Sequence, residues 1–513
     1  MPNLVVNAGP GTGKTYTATN IPRFLKVVRP EVWLKNKKHT QEQLAIWQWV
    51  KNNILPTVVD LKGEPKMPSI LYAAYNADMV PEVEPLVPPL KTPFGTEVRT
   101  IHGAGYKVLH RKYGYLRMNS NRGIHIVEKI TGKNFYQMQD RFKWLSTLRF
   151  IEKCKDELLP VTPENCEILK GKYDSLSNMA IHSDIVPQAK QIVKAMGNID
   201  RVLGIEYIDQ IWLALYSLPS PVYDIGIIDE CQDLSPARLL LVQKLCKNLI
   251  FVGDPDQGIN AFAGADPMAF DKIRDICNEE LPLKESFRNP PNIIDKANAL
   301  MANRVIPDTH KRTILRGTKK EKGEEKNITM NTIGMYIKPE NYGECMIICR
   351  TNAPLVGCLL KLLKAQVPAA IVGKSIITTL WNTVKQRNAS SIGELSQKLD
   401  AYEELSCRSV PEHIQETIKD RIDCIRLVLP LCDEVYEIEA LLKKLFKPKP
   451  NQSAVSLMTI HKAKGKERDN VFILYPPIES QYAKTPIQKQ QEQNLHFVAI
   501  TRTKKNLYWI YPT

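Results

Sequence analysis

Eight residues near the start of the chain, Ala8-Gly9-Pro10-Gly11-Thr12-Gly13-Lys14-Thr15, have the types and spacing needed to hold phosphate. Glycines at 9, 11 and 13 let successive backbone N–H groups turn inward toward anionic oxygens. A helix starting at the end of such a loop adds the positive end of its dipole. In that arrangement Gly9, Gly11, Thr12 and Gly13 form the cradle, Lys14 reaches the β- and γ-phosphates, and the Thr15 hydroxyl ligates Mg²⁺. Ala8 stands where the usual pattern has its first glycine. A second group, Asp229-Glu230-Cys231-Gln232-Asp233, brings the carboxylates that phosphoryl transfer to water requires. Asp229 can hold the metal through water while Glu230 orients and deprotonates the attacking water. Alone, an Asp-Glu pair after an apolar run also serves to cap the next helix; beside the glycine loop it reads as part of one hydrolytic centre.

Both groups need strands to carry them. Short runs rich in Val and Ile read as buried parallel strands: Leu4–Asn7, Ser69–Ala74, Tyr223–Ile228, Leu249–Gly253, Cys345–Cys349, Val455–Ile460, Val471–Leu474 and Leu507–Tyr511. Helical stretches separate most of them, which predicts an α/β fold. The glycine loop follows the first strand and the carboxylates follow the third, at the C-terminal tips where open α/β sheets bind ligands. Two segments break the pattern: Lys107–Ile211 and Trp381–Phe446 have helical spacing, most clearly in 142–158, 185–196, 413–429 and 434–445, and read as insertions. The proline-rich 80–93 stretch is unsuited to regular helix or central strand. The 319–326 stretch reads as a charged surface connector, and 41–53 as a packed helix.

Composition bounds the rest. The chain has 513 residues, enough for roughly three or four packed units. Hydrophobic residues are 43% and charged residues 24%, which excludes a mostly disordered or collagen-like chain. No apolar run is long enough to span a bilayer and no secretory signal is visible, so a cytoplasmic location (host cytoplasm if the source is a phage) and no membrane partner are expected. Seventy Lys and Arg against 55 Asp and Glu give a net charge of +15, which favours a polyanionic partner, nucleic acid first. Eleven scattered cysteines without a C-x-x-C fit reduced thiols better than a disulfide or zinc framework.

Further motifs give the chain a family resemblance. Val252-Gly253-Asp254-Pro255-Asp256-Gln257-Gly258-Ile259-Asn260-Ala261-Phe262-Ala263-Gly264-Ala265, Glu285-Ser286-Phe287-Arg288, Thr459-Ile460-His461-Lys462-Ala463-Lys464-Gly465-Lys466-Glu467 and Val498-Ala499-Ile500-Thr501-Arg502 follow in order. They resemble, in turn, the third to sixth motifs of the superfamily-one DNA helicases of the UvrD/Rep type, whose two nucleotide motifs the phosphate loop and Asp229-Glu230 resemble. Ala74-Tyr75-Asn76 and Thr100-Ile101-His102 are weaker matches to two short DNA-contacting motifs. Phe287 stands where tyrosine is usual, Asn260 replaces an aromatic and Ala263 an arginine. The glutamine-bearing helix that normally precedes the first strand is expected to be missing or supplied from elsewhere, since Met1 lies close to the glycine loop.

The resemblance implies two RecA-like motor lobes of the P-loop NTPase class, each with a mainly helical insertion. The segments are 1–106 and 212–285 for the first lobe with insertion 107–211, then 286–380 and 451–513 for the second with insertion 381–450. It implies ATP and Mg²⁺ as cofactors. Catalytic roles fall to Glu230, to Gln257 as γ-phosphate sensor, and to Arg288 and Arg502 as arginine fingers. Tyr16 and Phe287 stack the base with relaxed choice, and Glu467 contacts the ribose. Asn76, His102, Phe262, His461 and Lys462 contact DNA. The implied activity is a 3′-to-5′ DNA helicase acting on single strands and single-strand/duplex junctions, as a monomer when free. A translocase that strips proteins without processive unwinding, and a non-hydrolysing nucleotide-binding scaffold, remain the alternatives.

Overall fold

The computed structural model describes residues 1–26, 39–173, 176, 186–260, 266–306, 313–373, 375–408, 412–447, 453–474, 480 and 483–511. The chain divides into two compact units, Met1–Glu285 and Ser286–Thr513.

In the first unit six strands form one sheet in the order Thr96–Thr100, Ile70–Ala74, Tyr223–Asp229, Cys246–Gly253, Leu4–Ala8, Glu279–Leu283. All neighbours run parallel. The central strands are covered on both faces, which is why their sequences are nearly continuous apolar runs rather than alternating ones. Val5, Leu71, Ile228 and Phe251 join one core with helices Ile101–Tyr113, Asp209–Leu215 and Pro236–Leu245. Val6, Tyr72, Ile227 and Val252 join the other with helices Lys14–Leu25 and Gln41–Trp49. The register aligns the strand tips, Asn7 opposite Gly253 and Asp229 opposite Val252. The phosphate loop, Asp254 and Glu230 therefore leave the sheet at one edge.

The helices between residues 122 and 197 have a separate core that includes Val127, Phe150, Leu169 and Ile192. Buried ion pairs fasten it to the sheet-covering helices. Arg122, 1% exposed, meets Asp209 at 2.5 Å, and Lys155 meets the same carboxylate at 2.7 Å.

The second unit has a seven-stranded parallel sheet ordered Phe446–Lys447, Ala369–Val372, Val455–Thr459, Cys345–Cys349, Arg468–Leu474, Thr503–Tyr511, Glu325–Thr329. Its helices Ser375–Lys385, Ile392–Arg408, Glu412–Val428 and Glu437–Leu445 do not make a core of their own. Leu399, Ile422, Ile425 and Leu442 are continuous with Ile347, Val455 and Phe472 of the sheet.

All eight strands expected from sequence are present. Five further strands of the two sheets were not foreseen: Thr96–Thr100, Glu279–Leu283 and Glu325–Thr329 carry charge, Phe446–Lys447 has two residues, and Ala369–Val372 is apolar but four residues long. Glu325 and Lys326, expected in a surface connector, are in an edge strand. Lys107 lies inside helix Ile101–Tyr113, and the second helical segment opens at Ser375 ahead of Trp381. The 41–53 helix is α-helical only to Trp49 and continues as a π-helical turn through Ile54. Val80–Val83 forms a single α-helical turn within the proline-rich stretch. All eleven cysteines are free thiols. Among the described residues, no helix is long and apolar enough to cross a membrane.

Candidate functional site

The phosphate loop of the first unit is set by one backbone requirement. Gly13 has φ +80°, and a Cβ there would come 3.2 Å from the Gln43 amide nitrogen. Only glycine takes this turn without strain. Helix Lys14–Leu25 starts immediately after it with no side-chain cap, leaving its first N–H groups for an anion. Thr12 braces the loop by donating to the Gly9 carbonyl at 2.8 Å. From outside, Gln43 donates to Thr17 Oγ1 at 3.2 Å, and Trp47 Nε1 donates to the Thr17 carbonyl at 2.9 Å.

The carboxylates face this loop. Lys14 Nζ lies 3.5 Å from Glu230 Oε1, with both side chains largely covered. Asp229 is 2% exposed; Tyr72 donates to its Oδ2 at 2.6 Å and the Glu230 amide to its Oδ1 at 2.9 Å. Burial, then the charge of Glu230, pushes the Asp229 carboxyl up to about 6. Glu230 has φ +52°, a left-handed conformation that costs a non-glycine residue roughly 1–2 kcal/mol. A chain of hydrogen bonds holds it there. Gln232 donates to Glu230 Oε2 at 2.5 Å, the Asp254 amide donates to Gln232 Oε1 at 3.0 Å, and Gln257 Nε2 donates to Asp254 Oδ2 at 2.6 Å. Glu230 and Gln257 thus belong to one hydrogen-bonded network. Gln232 and Asp254, which complete it, had no assigned part in the sequence reading, since an amide used for bracing has no spacing signature.

Among the described residues no three His, Cys, Asp or Glu side chains gather as a self-contained metal cage. The oxygen donors nevertheless fit Mg²⁺, which keeps several waters and binds through one or two protein groups plus substrate phosphates. Asp229 is a buried carboxylate whose charge a divalent ion would stabilise, and Thr15 offers a hydroxyl on the first helical turn. The bound ion would supply charge neutralisation on the phosphates.

Tyr16 is 40% exposed and its hydroxyl lies 3.4 Å from His39 Nδ1, with the rings stacked at 6.0 Å. Among the DNA-contact candidates, Asn76 accepts from the Met79 amide at 3.0 Å as a helix cap. His102 is buried and stacks on Tyr207, centroids 3.9 Å apart. Burial, with Arg238 nearby, pulls its pKa down to about 3, so it is a neutral imidazole at physiological pH. Tyr207 is 61% exposed and was not singled out from sequence. Phe262 lies outside the described residues.

In the second unit Arg288 is ion-paired with Glu467 and reaches the Thr501 carbonyl at 3.5 Å. Lys504 approaches the same Glu467 at 3.3 Å. Asn289, fully buried, donates to the carbonyls of Thr501 and Thr503 at 3.1 and 2.7 Å, which holds the Arg288 segment against the one bearing Arg502. Arg502 is 1% exposed and donates through Nε to the Val498 carbonyl at 3.0 Å. Phe287 is 49% exposed. His461 is half-buried, and burial, then the Arg350 charge, pulls its pKa down to about 4. Lys462 turns inward to the Val372 carbonyl at 3.4 Å.

Two family models match the chain: a UvrD/REP helicase N-terminal domain over residues 76–278, and a UvrD-like helicase C-terminal domain over 374–513. The chain belongs to the superfamily-one helicases of the UvrD/Rep type. Its two parallel sheets are the RecA-like lobes of that family. The F-box DNA helicase protein 1 of Schizosaccharomyces pombe is 25% identical over 499 residues, 87% of this chain and 53% of that protein. The ATP-dependent DNA helicase PcrA of Leuconostoc citreum is 29% identical over 163 residues, 28% of this chain and 22% of the relative. The RecBCD enzyme subunit RecB of Escherichia coli is 28% identical over 85 residues, 16% of this chain and 7% of that subunit. The chain spans about half the length of the first of these relatives, and smaller shares of the other two.

Proposed function

We propose that this UvrD/Rep-type protein is an Mg²⁺- and ATP-dependent DNA helicase that translocates 3′ to 5′ along a single strand. The observation that carries the reading is the set Lys14, Asp229 and Glu230 at one sheet edge, with Glu230 held in a left-handed turn and wired to Gln257. A lysine for the phosphates, a buried carboxylate for the metal and a fixed carboxylate for water are what phosphoryl transfer to water needs. Arg288 and Arg502 of the second unit act on the same nucleotide, so that hydrolysis requires the two lobes to close and thereby moves the strand. Segments 107–211 and 381–450 are insertions into those lobes.

The reading is tested by phosphate release measured with single-stranded DNA, single-stranded RNA and duplex DNA, alongside strand displacement. Strong stimulation by single-stranded DNA together with unwinding is expected. Lys14→Ala should abolish turnover, and normal DNA-stimulated hydrolysis in that variant would refute the site. Protein displacement without unwinding would favour a stripping translocase, and nucleotide binding with no phosphate release a scaffold.

A further inference from the structure

We infer that Tyr72 is a positioning residue for the magnesium site, fixing the Asp229 carboxylate so that it can engage the metal-bound water. The inference rests on the proposed role of Asp229.

Tyr72 lies on strand Ile70–Ala74, next to the strand that ends in Asp229, and pairs in register with Ile227. From there its side chain extends toward the C-terminal edge of the sheet. It is wholly buried, in the core that also receives Val6, Ile227 and Val252. A phenol in such a core needs a polar partner, and the hydroxyl donates to Asp229 Oδ2 at 2.6 Å. The other carboxylate oxygen accepts from the Glu230 amide at 2.9 Å. Each oxygen of Asp229 thus has one fixed donor, and the two together set the plane of the carboxylate. The Glu230 contact is local, made by the adjacent backbone. The Tyr72 contact is the one that ties the metal-holding carboxylate to the rigid neighbouring strand, as an outer partner does when it orients a metal ligand.

Removing one hydroxyl leaves the ring and its packing in place, so Tyr72→Phe isolates the contact. Outer partners of metal ligands change metal affinity by about 10- to 100-fold. The experiment is binding of Mn²⁺, as a spectroscopic substitute for Mg²⁺, to the protein saturated with a non-hydrolysable ATP analogue. Electron paramagnetic resonance measures it for the wild type, Tyr72→Phe, Asp229→Asn and the double variant. Circular dichroism and metal-free nucleotide affinity are recorded for each as controls of folding. Tyr72→Phe should weaken Mn²⁺ binding by about tenfold or more while metal-free nucleotide affinity stays unchanged. In the double variant Tyr72→Phe should add little to the loss from Asp229→Asn, because the hydroxyl acts through that carboxylate. If Asp229→Asn weakens Mn²⁺ binding but Tyr72→Phe does not, or if the two losses simply add, the positioning role is overturned. If Asp229→Asn itself leaves Mn²⁺ binding unchanged, the assignment of Asp229 to the metal fails instead.

Discussion

Glu230 is the residue proposed to activate the attacking water. Its carboxylate is 3.5 Å from Lys14 and receives the Gln232 amide, while its backbone is held in a conformation that glycine would adopt more readily. Strain kept in place by a surrounding network is the pattern expected where a side chain must be fixed for chemistry. Glu230→Gln should keep nucleotide affinity and lower the single-turnover hydrolysis rate by about 10²–10⁴-fold, the usual range for a general base; equal rates in quenched-flow measurement would remove Glu230 from that role. Gln232→Ala should lower the rate less, because it breaks the link to Asp254 without removing the base. At this scale the sequence was informative wherever spacing carries chemistry. The loop 8–15, Asp229 and Glu230, which the fold brings to one end of the first sheet, could be picked out from residue types alone. Tyr72, Gln232 and Asn289 could not, because each acts by reaching a backbone group or carboxylate brought near only by strand pairing or by chain segments distant in sequence. Asn76 and Lys462 show the converse: matched by short motifs, both have side chains engaged with their own unit's backbone.

The elements hold together through polar clamps placed where apolar packing gives no direction. Asp420, on helix Glu412–Val428, accepts from the Asn352 and Ala353 amides at 2.9 and 2.7 Å and so caps helix Ala353–Lys364 from a distant segment. Loss of a helix cap costs about 0.5–2 kcal/mol, so Asp420→Ala should lower the melting temperature of the second unit by a few degrees, read by differential scanning calorimetry. In the first unit Asp224 binds Lys66 at 2.8 Å, Lys247 at 3.1 Å and the Ser69 amide at 3.0 Å. Burial opposes its charge, yet the bonds from Lys66, Ser69 and Lys247 outweigh burial and hold its pKa at about 2, below the ordinary 3.8. A carboxyl depressed in the folded state contributes stability that is full above its unfolded pKa and is lost as pH falls through the folded value. Asp224→Asn should therefore melt lower than wild type at pH 7, with the difference shrinking between about pH 4 and pH 2. A gap that stays constant through that window would assign the loss to packing. The helices of the second unit illustrate why insertions are hard to delimit from sequence. Leu399, Ile422 and Leu442 have the periodicity of a separate bundle, but they pack into the sheet's own core, which only three-dimensional contact reveals.

For the whole molecule, the excess of 70 basic over 55 acidic residues gives +15, consistent with a chain that neutralises a phosphate backbone. Each phosphate contact released by salt steepens the log–log slope of binding to single strands by about 0.7. Affinity for single-stranded DNA should fall by at least about tenfold between roughly 50 and 200 mM salt, checked by fluorescence anisotropy; affinity indifferent to salt would contradict an electrostatic track. The central claim is that ATP held by the first lobe is hydrolysed with arginines from the second. The most direct test is single-turnover ATP hydrolysis on single-stranded DNA by wild type and Arg502→Ala, with nucleotide affinity measured on the same samples. A finger contributes on the order of 10³–10⁵ in rate. The account predicts nearly unchanged nucleotide affinity with hydrolysis slowed by about that factor, and a wild-type rate constant in Arg502→Ala would contradict it.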